Sequence, residues 1–170
     1  MKIAALAMCA SLWAAPCVFA QKLELKFDAL AARASDKAEI DLDSNLLRLF
    51  LQMSGEKDRD GLLNNVRAIH VRTYTFAKTG EYSQKDLEPL RSQVSAQSRW
   101  SRVINQKESE QTTEIWVAAD GTKLGACLSV ATEEKELSVV YLEGTMSLAQ
   151  VKGLMEHDGW HGLVRLAEAH

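Results

Sequence analysis

Three β-rich runs between Thr113 and Leu142 constrain this chain more than any other stretch. Ile115-Trp116-Val117-Ala118-Ala119 leads into Asp120-Gly121, a dipeptide that closes two-residue hairpins because both positions tolerate positive φ. Leu124 to Ala131 follows, and after the charged link Glu133-Glu134-Lys135-Glu136 comes Leu137-Ser138-Val139-Val140-Tyr141-Leu142. Short strands joined by short polar links read as a three-strand antiparallel meander. An all-helical domain is therefore excluded.

The start of the chain bears on compartment. Met1-Lys2 is a short positive segment, Ile3 to Trp13 is apolar but short for a bilayer span, and Val18-Phe19-Ala20 ends on a small residue. That order is the order of a secretory leader, so cleavage is expected near Ala20. The expected organisation is a signal peptide at 1–20, one domain at 21–156 and a tail at 157–170, with a periplasmic or secreted destination. A lipoprotein signal at Cys17 is disfavoured, because Ala15-Pro16 precedes it.

Losing Lys2 with the leader leaves 19 basic against 23 acidic side chains, a formal balance of −4. A mildly acidic domain does not suit nucleic acid. No second apolar run is long enough for a transmembrane segment in the mature chain. Of the three cysteines only Cys127 lies beyond the leader. It has no partner for an internal disulfide and no cation beside it in sequence to activate it, and reads as a small strand residue.

Before the meander, Leu23, Phe27, Leu30 and Ala34 recur at helical spacing. Ala38 to Leu42 alternates as a half-buried strand. Asp43 or Ser44 is placed to cap a helix rich in apolar residues from Leu46 to Met53, expected to be deeply buried, and Leu62, Leu63 and Val66 suggest a further helical turn. Ala68 to Phe76 is a strand with Ile69 and Val71 on one face and His70, Arg72, Tyr74 and Phe76 on the other. Ser83 or Asp86 starts a helix carrying Leu87, Leu90 and Val94, and Pro89, tolerable only in its first turn, favours Asp86 as the cap. Trp100 to Gln106 is a strand, and Ser147 with Gln150 forms a capping box ahead of a closing helix. The expected class is α+β: two layers, a mixed, mostly antiparallel sheet, and helices packed on one face.

Several of these segments together resemble the bacterial domain-of-unknown-function 4252 family, especially its acidobacterial members. They are Phe27-Asp28-Ala29-Leu30-Ala31-Ala32-Arg33-Ala34, Glu39-Ile40-Asp41-Leu42-Asp43, Ile69-His70-Val71-Arg72, Gly80-Glu81-Tyr82, Asp86 to Arg91, Trp100 to Ile104, and Glu136 to Gly144. The resemblance spans Phe27 to Leu154. It implies an exported or envelope-associated bacterial protein with no established activity. Similar members are often encoded near sigma-factor and anti-sigma genes, which implies an envelope-stress partner. The segment from His157 onward departs from the family ending.

Sharper chemistries fail on single residues. Glu56-Lys57-Asp58-Arg59-Asp60-Gly61 opens like a calcium loop, but Arg67 stands where the bidentate glutamate belongs. His157 and His161 are spaced for a helical zinc pair, yet Gly159 interrupts the turn and no base glutamate follows the first histidine. There is no Gly-x-Ser-x-Gly elbow and no phosphate-binding glycine loop. No cofactor or metal is expected, and no catalytic residues are assigned; a small metal-dependent or hydrolytic enzyme is the alternative.

What remains is recognition by side chains. If Ile69 and Val71 face the helices, then His70, Arg72 and Tyr74 turn outward, and period-two alternation places Trp100, Arg102 and Trp116 on the same open side. Trp, Tyr and Arg are the common anchors of protein interfaces. These six are the candidate binding residues, for an envelope protein or peptide or an anionic glycan. The competing reading puts Trp100 and Trp116 in the core and pairs the arginines with sheet carboxylates such as Glu114.

Overall fold

The computed structural model describes residues 23–54, 65–147 and 149–151. The leader, the Glu56–Gly61 segment, and His157 and His161 lie outside the described residues. An extended arm from Leu23 leads to the one-turn helix α1 (Asp28–Ala31), then β1 (Asp36–Asp43), α2 (Ser44–Ser54) and β2 (Val66–Thr75). A 3-10 turn (Gln84–Leu87) runs into α3 (Glu88–Ser95), followed by β3 (Trp100–Glu108), β4 (Gln111–Asp120), β5 (Lys123–Thr132) and β6 (Glu136–Met146). The strands form one open sheet in the order β1-β2-β6-β5-β4-β3.

The α+β class holds, and the meander β4-β5-β6 is present, turning at Gly121 with φ +61°. The expected mixed sheet is instead antiparallel at every pairing. The physical reason lies between β1 and β2. Asp43 pairs with Ala68, so the connection leaves and re-enters at the same end of the pair. It is a long hairpin with a helix inserted, not a crossover. Val66 correspondingly begins β2 rather than a helical turn, and Leu23 sits in the arm rather than in α1.

Local signals explain the element boundaries. Asp43 Oδ1 accepts the N–H groups of Asn45 (2.8 Å) and Leu46 (2.9 Å), capping α2. Ser83 and Asp86 form a reciprocal box at the 3-10 turn, where the Ser83 N–H donates to Asp86 Oδ2 at 2.7 Å. Pro89 then falls in the first turn of α3, where its missing N–H costs nothing. Ser147 and Gln150 make the second box, with bonds of 2.9 and 3.2 Å.

The sheet buries both faces, which corrects the expected single helical layer. On one face Leu30 of α1, Leu87 of the 3-10 turn, and Leu90 and Val94 of α3 pack against Tyr74, Leu128, Leu137 and Val139. On the other, Leu47 of α2 and Val151 share a cluster with Ile69, Val71, Cys127, Val140 and Leu142. The cause is written in β5 and β6, whose Ala126-Cys127-Leu128 and Val139-Val140-Tyr141-Leu142 are continuous rather than alternating apolar runs. Each such fully buried leucine or valine contributes roughly 1.5–3 kcal/mol. In the first half of α2 Leu47 is buried, whereas Leu46 and Leu49 stay 49% and 52% exposed.

Three further features fix the framework. The Glu24 N–H donates to Gln93 Oε1 (3.0 Å) and the Gln93 amide returns a bond to the Glu24 carbonyl (3.3 Å), docking the arm on α3. The Tyr82 hydroxyl donates to the carbonyls of Glu133 and Glu136, gripping the β5–β6 turn. Cys127 is wholly buried, and that burial pushes its thiol up to about 12, far from nucleophilic at neutral pH. Among the described residues no helix is long and apolar enough to cross a membrane.

Candidate functional site

Side chains that share a cross-strand row share a face. One row runs Asp41, His70, Tyr141, Leu128, Trp116, Arg102 across all six strands. The neighbouring rows carry Arg72 and Tyr74 on one side and Trp100 on the other. All six candidate residues therefore lie on one face, despite a bulge between Arg102 and Ile104. That face is not open, however. It is the face on which α1 and α3 pack, and the helices divide the six into a β1–β2 flank, a covered centre and a β3–β4 flank.

The covered centre holds Tyr74 and Trp100, which are 1% and 7% exposed. Tyr74 meets Phe27 edge-on and donates its hydroxyl to Glu39 (2.9 Å). Burial and the Glu39 carboxylate both raise its pKa well above the ordinary tyrosine value. Trp100 stands opposite Ala118, with Ala126 next in the row and neither side chain longer than a methyl. This gap lets its ring reach toward β6 and lie 6.2 Å from Tyr141. Trp100 is a core residue.

On the β1–β2 flank, Asp41 organises two candidates. Both of its oxygens accept from one terminal nitrogen of Arg72 (2.8 and 2.9 Å), and Oδ1 pairs with His70 Nδ1 at 2.5 Å. Arg72 spends its other nitrogen on the carbonyls of Ile40 and Val71. Burial raises the pKa of Asp41, but the bonds from His70 and Arg72 outweigh it and leave the carboxyl below its ordinary range. The His70 ring stacks on Tyr141 at 5.7 Å and 16°. An acceptor at Nδ1 places the proton there, and Nε2 is buried without a partner. With side chains only 15% and 12% exposed, His70 and Arg72 serve the fold more than any ligand.

The β3–β4 flank is accessible. Glu114 is buried, and Arg91 of α3 grips its carboxylate through Nε and one terminal nitrogen. Arg102 approaches the same carboxylate only to 3.6 Å, keeps its side chain 43% exposed, and lies 5.3 Å over the half-buried Trp116 ring. The result is a cation on an aromatic platform at the sheet margin. Beside it the bulge residue Val103 is 47% exposed. Among the described residues no three His, Cys, Asp or Glu side chains come together in a group able to hold a metal.

Sequence reasoning identified the face and Glu114 but missed Asp41 and Arg91 as organisers. Asp41 was visible as a carboxylate on the polar side of an alternating strand. Arg91 carried no signal, because its role depends on where α3 crosses the sheet.

Comparison with family models matches residues 32–154 to the family described as Domain of unknown function (DUF4252), and the chain belongs to that family. Comparison with curated proteins and with solved structures found no match.

Proposed function

We propose that this DUF4252 protein is exported to the cell envelope by the leader expected at residues 1–20. There it acts as a non-enzymatic module that binds a protein or peptide at the margin formed by Arg102, Trp116 and Val103. The partner belongs to envelope-stress signalling of the sigma and anti-sigma kind that the family resemblance implies. The observation that carries the binding role is the Arg102–Trp116 pair, an exposed guanidinium 5.3 Å over a ring. Its carboxylate neighbour is already neutralised by Arg91. A half-exposed cation that shares its carboxylate with Arg91 and lies on an aromatic support suits a carboxylate from a partner chain.

The test places a photo-crosslinking residue at Val103 in cells that make the protein. Crosslinked adducts in the envelope fraction are then compared with those of Arg102→Glu and Trp116→Ala. Each variant is expected to lower the specific adduct at least about tenfold, the range of a modest hot spot, while circular dichroism stays unchanged. An adduct indifferent to both substitutions overturns the assigned surface, and a protein retained with an uncleaved leader in the cytoplasm overturns export.

A further inference from the structure

The two margins of the sheet differ in charge. Strand β1 carries Asp36, Glu39, Asp41 and Asp43 against Lys37. Strand β3, with Arg99 just before it, carries Arg102 and Lys107 against Glu108. Both strands are largely exposed along their length, and among the described residues each pairs on one side only. A sheet edge that is neither covered nor paired presents a row of backbone donors and acceptors.

We infer that these edges are complementary to each other, and that copies of this chain associate head to tail, β3 of one against β1 of the next. The topology permits this without rearrangement. Six strands alternate in direction, so the two edges run oppositely, and a second copy set in the same orientation continues the antiparallel ladder with each face on its own side. Complementarity then holds face by face. Glu39, Asp41 and Asp43 outnumber Lys37 on the α1/α3 face of β1, as Arg102 and Lys107 lie on that face of β3, whereas Ile40, Leu42 and Ile104 lie on the α2 face as partly buried margins of its core. A register two residues off straight continuation keeps every face. It sets Arg102 against Asp43, Lys107 against Glu39 and Ile104 against Leu42.

Charge also selects against the symmetric alternatives. A β1–β1 pair would align carboxylates with carboxylates, and a β3–β3 pair would align cations with cations. The favoured contact is heterologous, and the twist of each added sheet turns successive copies into an open chain rather than a closed dimer. The bulge at Arg102–Ile104 and the charged edge side chains keep it weak, reversible and salt-sensitive.

The test is sedimentation of the protein as the cell produces it, at low salt and at about 0.5 M salt, where charges are screened within a few ångströms. The sedimentation coefficient is expected to climb with concentration past the dimer value at low salt and to fall to the monomer value at high salt. Glu39→Lys and Lys107→Glu each oppose like charges and are expected to abolish the climb alone, whereas their mixture restores it. Trp116→Ala leaves the edge charges intact and is expected to associate like the parent, which separates this contact from the peptide-binding margin. Because Glu39 also accepts the Tyr74 hydroxyl, Lys107→Glu against Lys107→Arg carries the comparison if Glu39→Lys fails to fold. A parent that stays monomeric, one that stops at two copies, or folded variants whose mixture does not associate overturns the inference.

Discussion

Trp100 lies in a slot made by missing side chains, and that arrangement makes a quantitative prediction. Strands in a sheet stand about 4.8 Å apart, so β3 and β6 are separated by about 14 Å. The Trp100 and Tyr141 rings nevertheless come within 6.2 Å of each other, which requires the indole to lie across β4 at Ala118, its direct cross-strand partner. Ala118→Leu adds bulk where the ring lies, and overpacking of that kind costs about 2 kcal/mol. Trp100→Ala empties the slot, a loss of about 4 kcal/mol for a tryptophan 7% exposed. In the double variant the introduced leucine fills part of the vacated space, so the total is expected near 4 rather than near 6 kcal/mol, an interaction of about 2 kcal/mol. Urea unfolding followed by backbone circular dichroism, with unfolding slopes compared across the four proteins, measures it. Additivity within about 0.5 kcal/mol would refute the slot.

Two further outcomes follow from the framework. Gly144, at φ +156°, faces the bulge in β2, and a Cβ there would stand 2.3 Å from the Asn65 carbonyl oxygen and 2.7 Å from Val66 Cα. Gly144→Ala must displace backbone and is expected to destabilise by about 3 kcal/mol, read from the urea midpoint. Asp41, whose folded carboxyl titrates below its ordinary 3.8, binds fewer protons folded than unfolded. Its contribution is therefore present above 3.8 and lost as pH falls through the lower folded value. Asp41→Asn should lower stability at pH 7 by about 1 kcal/mol, held to that by solvent screening, and the gap to the parent should close under acid; a gap that widens there would contradict the pairing with Arg72 and His70.

The class and the meander were legible because Asp120-Gly121 and the flanking runs are local signals. The caps at Asp43 and at Ser147 with Gln150 were legible for the same reason, whereas the start favoured at Asp86 falls at Ser83, because a 3-10 turn precedes α3 and Asp86 closes the box from its third position. What was not legible depended on contacts distant in sequence. The β1–β2 pair looked like a strand-helix-strand crossover because connection length alone does not say at which end a chain returns. His70, Arg72, Tyr74, Trp100, Arg102 and Trp116 share one face because the strand registers align their rows, which alternation within each strand does not determine. Which layer covers that face was misread, although the unbroken apolar runs of β5 and β6 already indicated burial on both sides. Tyr74 and Trp100 became core, His70 and Arg72 were taken up by Asp41, and Arg102 keeps its side chain 43% exposed over the half-buried Trp116 ring.

The docked arm sets the length of any leash. Its first described residue, Leu23, is buried, and the next is tied to Gln93 of α3. Only Gln21 and Lys22 separate Leu23 from the cleavage point expected at Ala20, a reach of about 7 Å when fully stretched. Were the leader to stay attached in a membrane, the domain would have no tether to swing on.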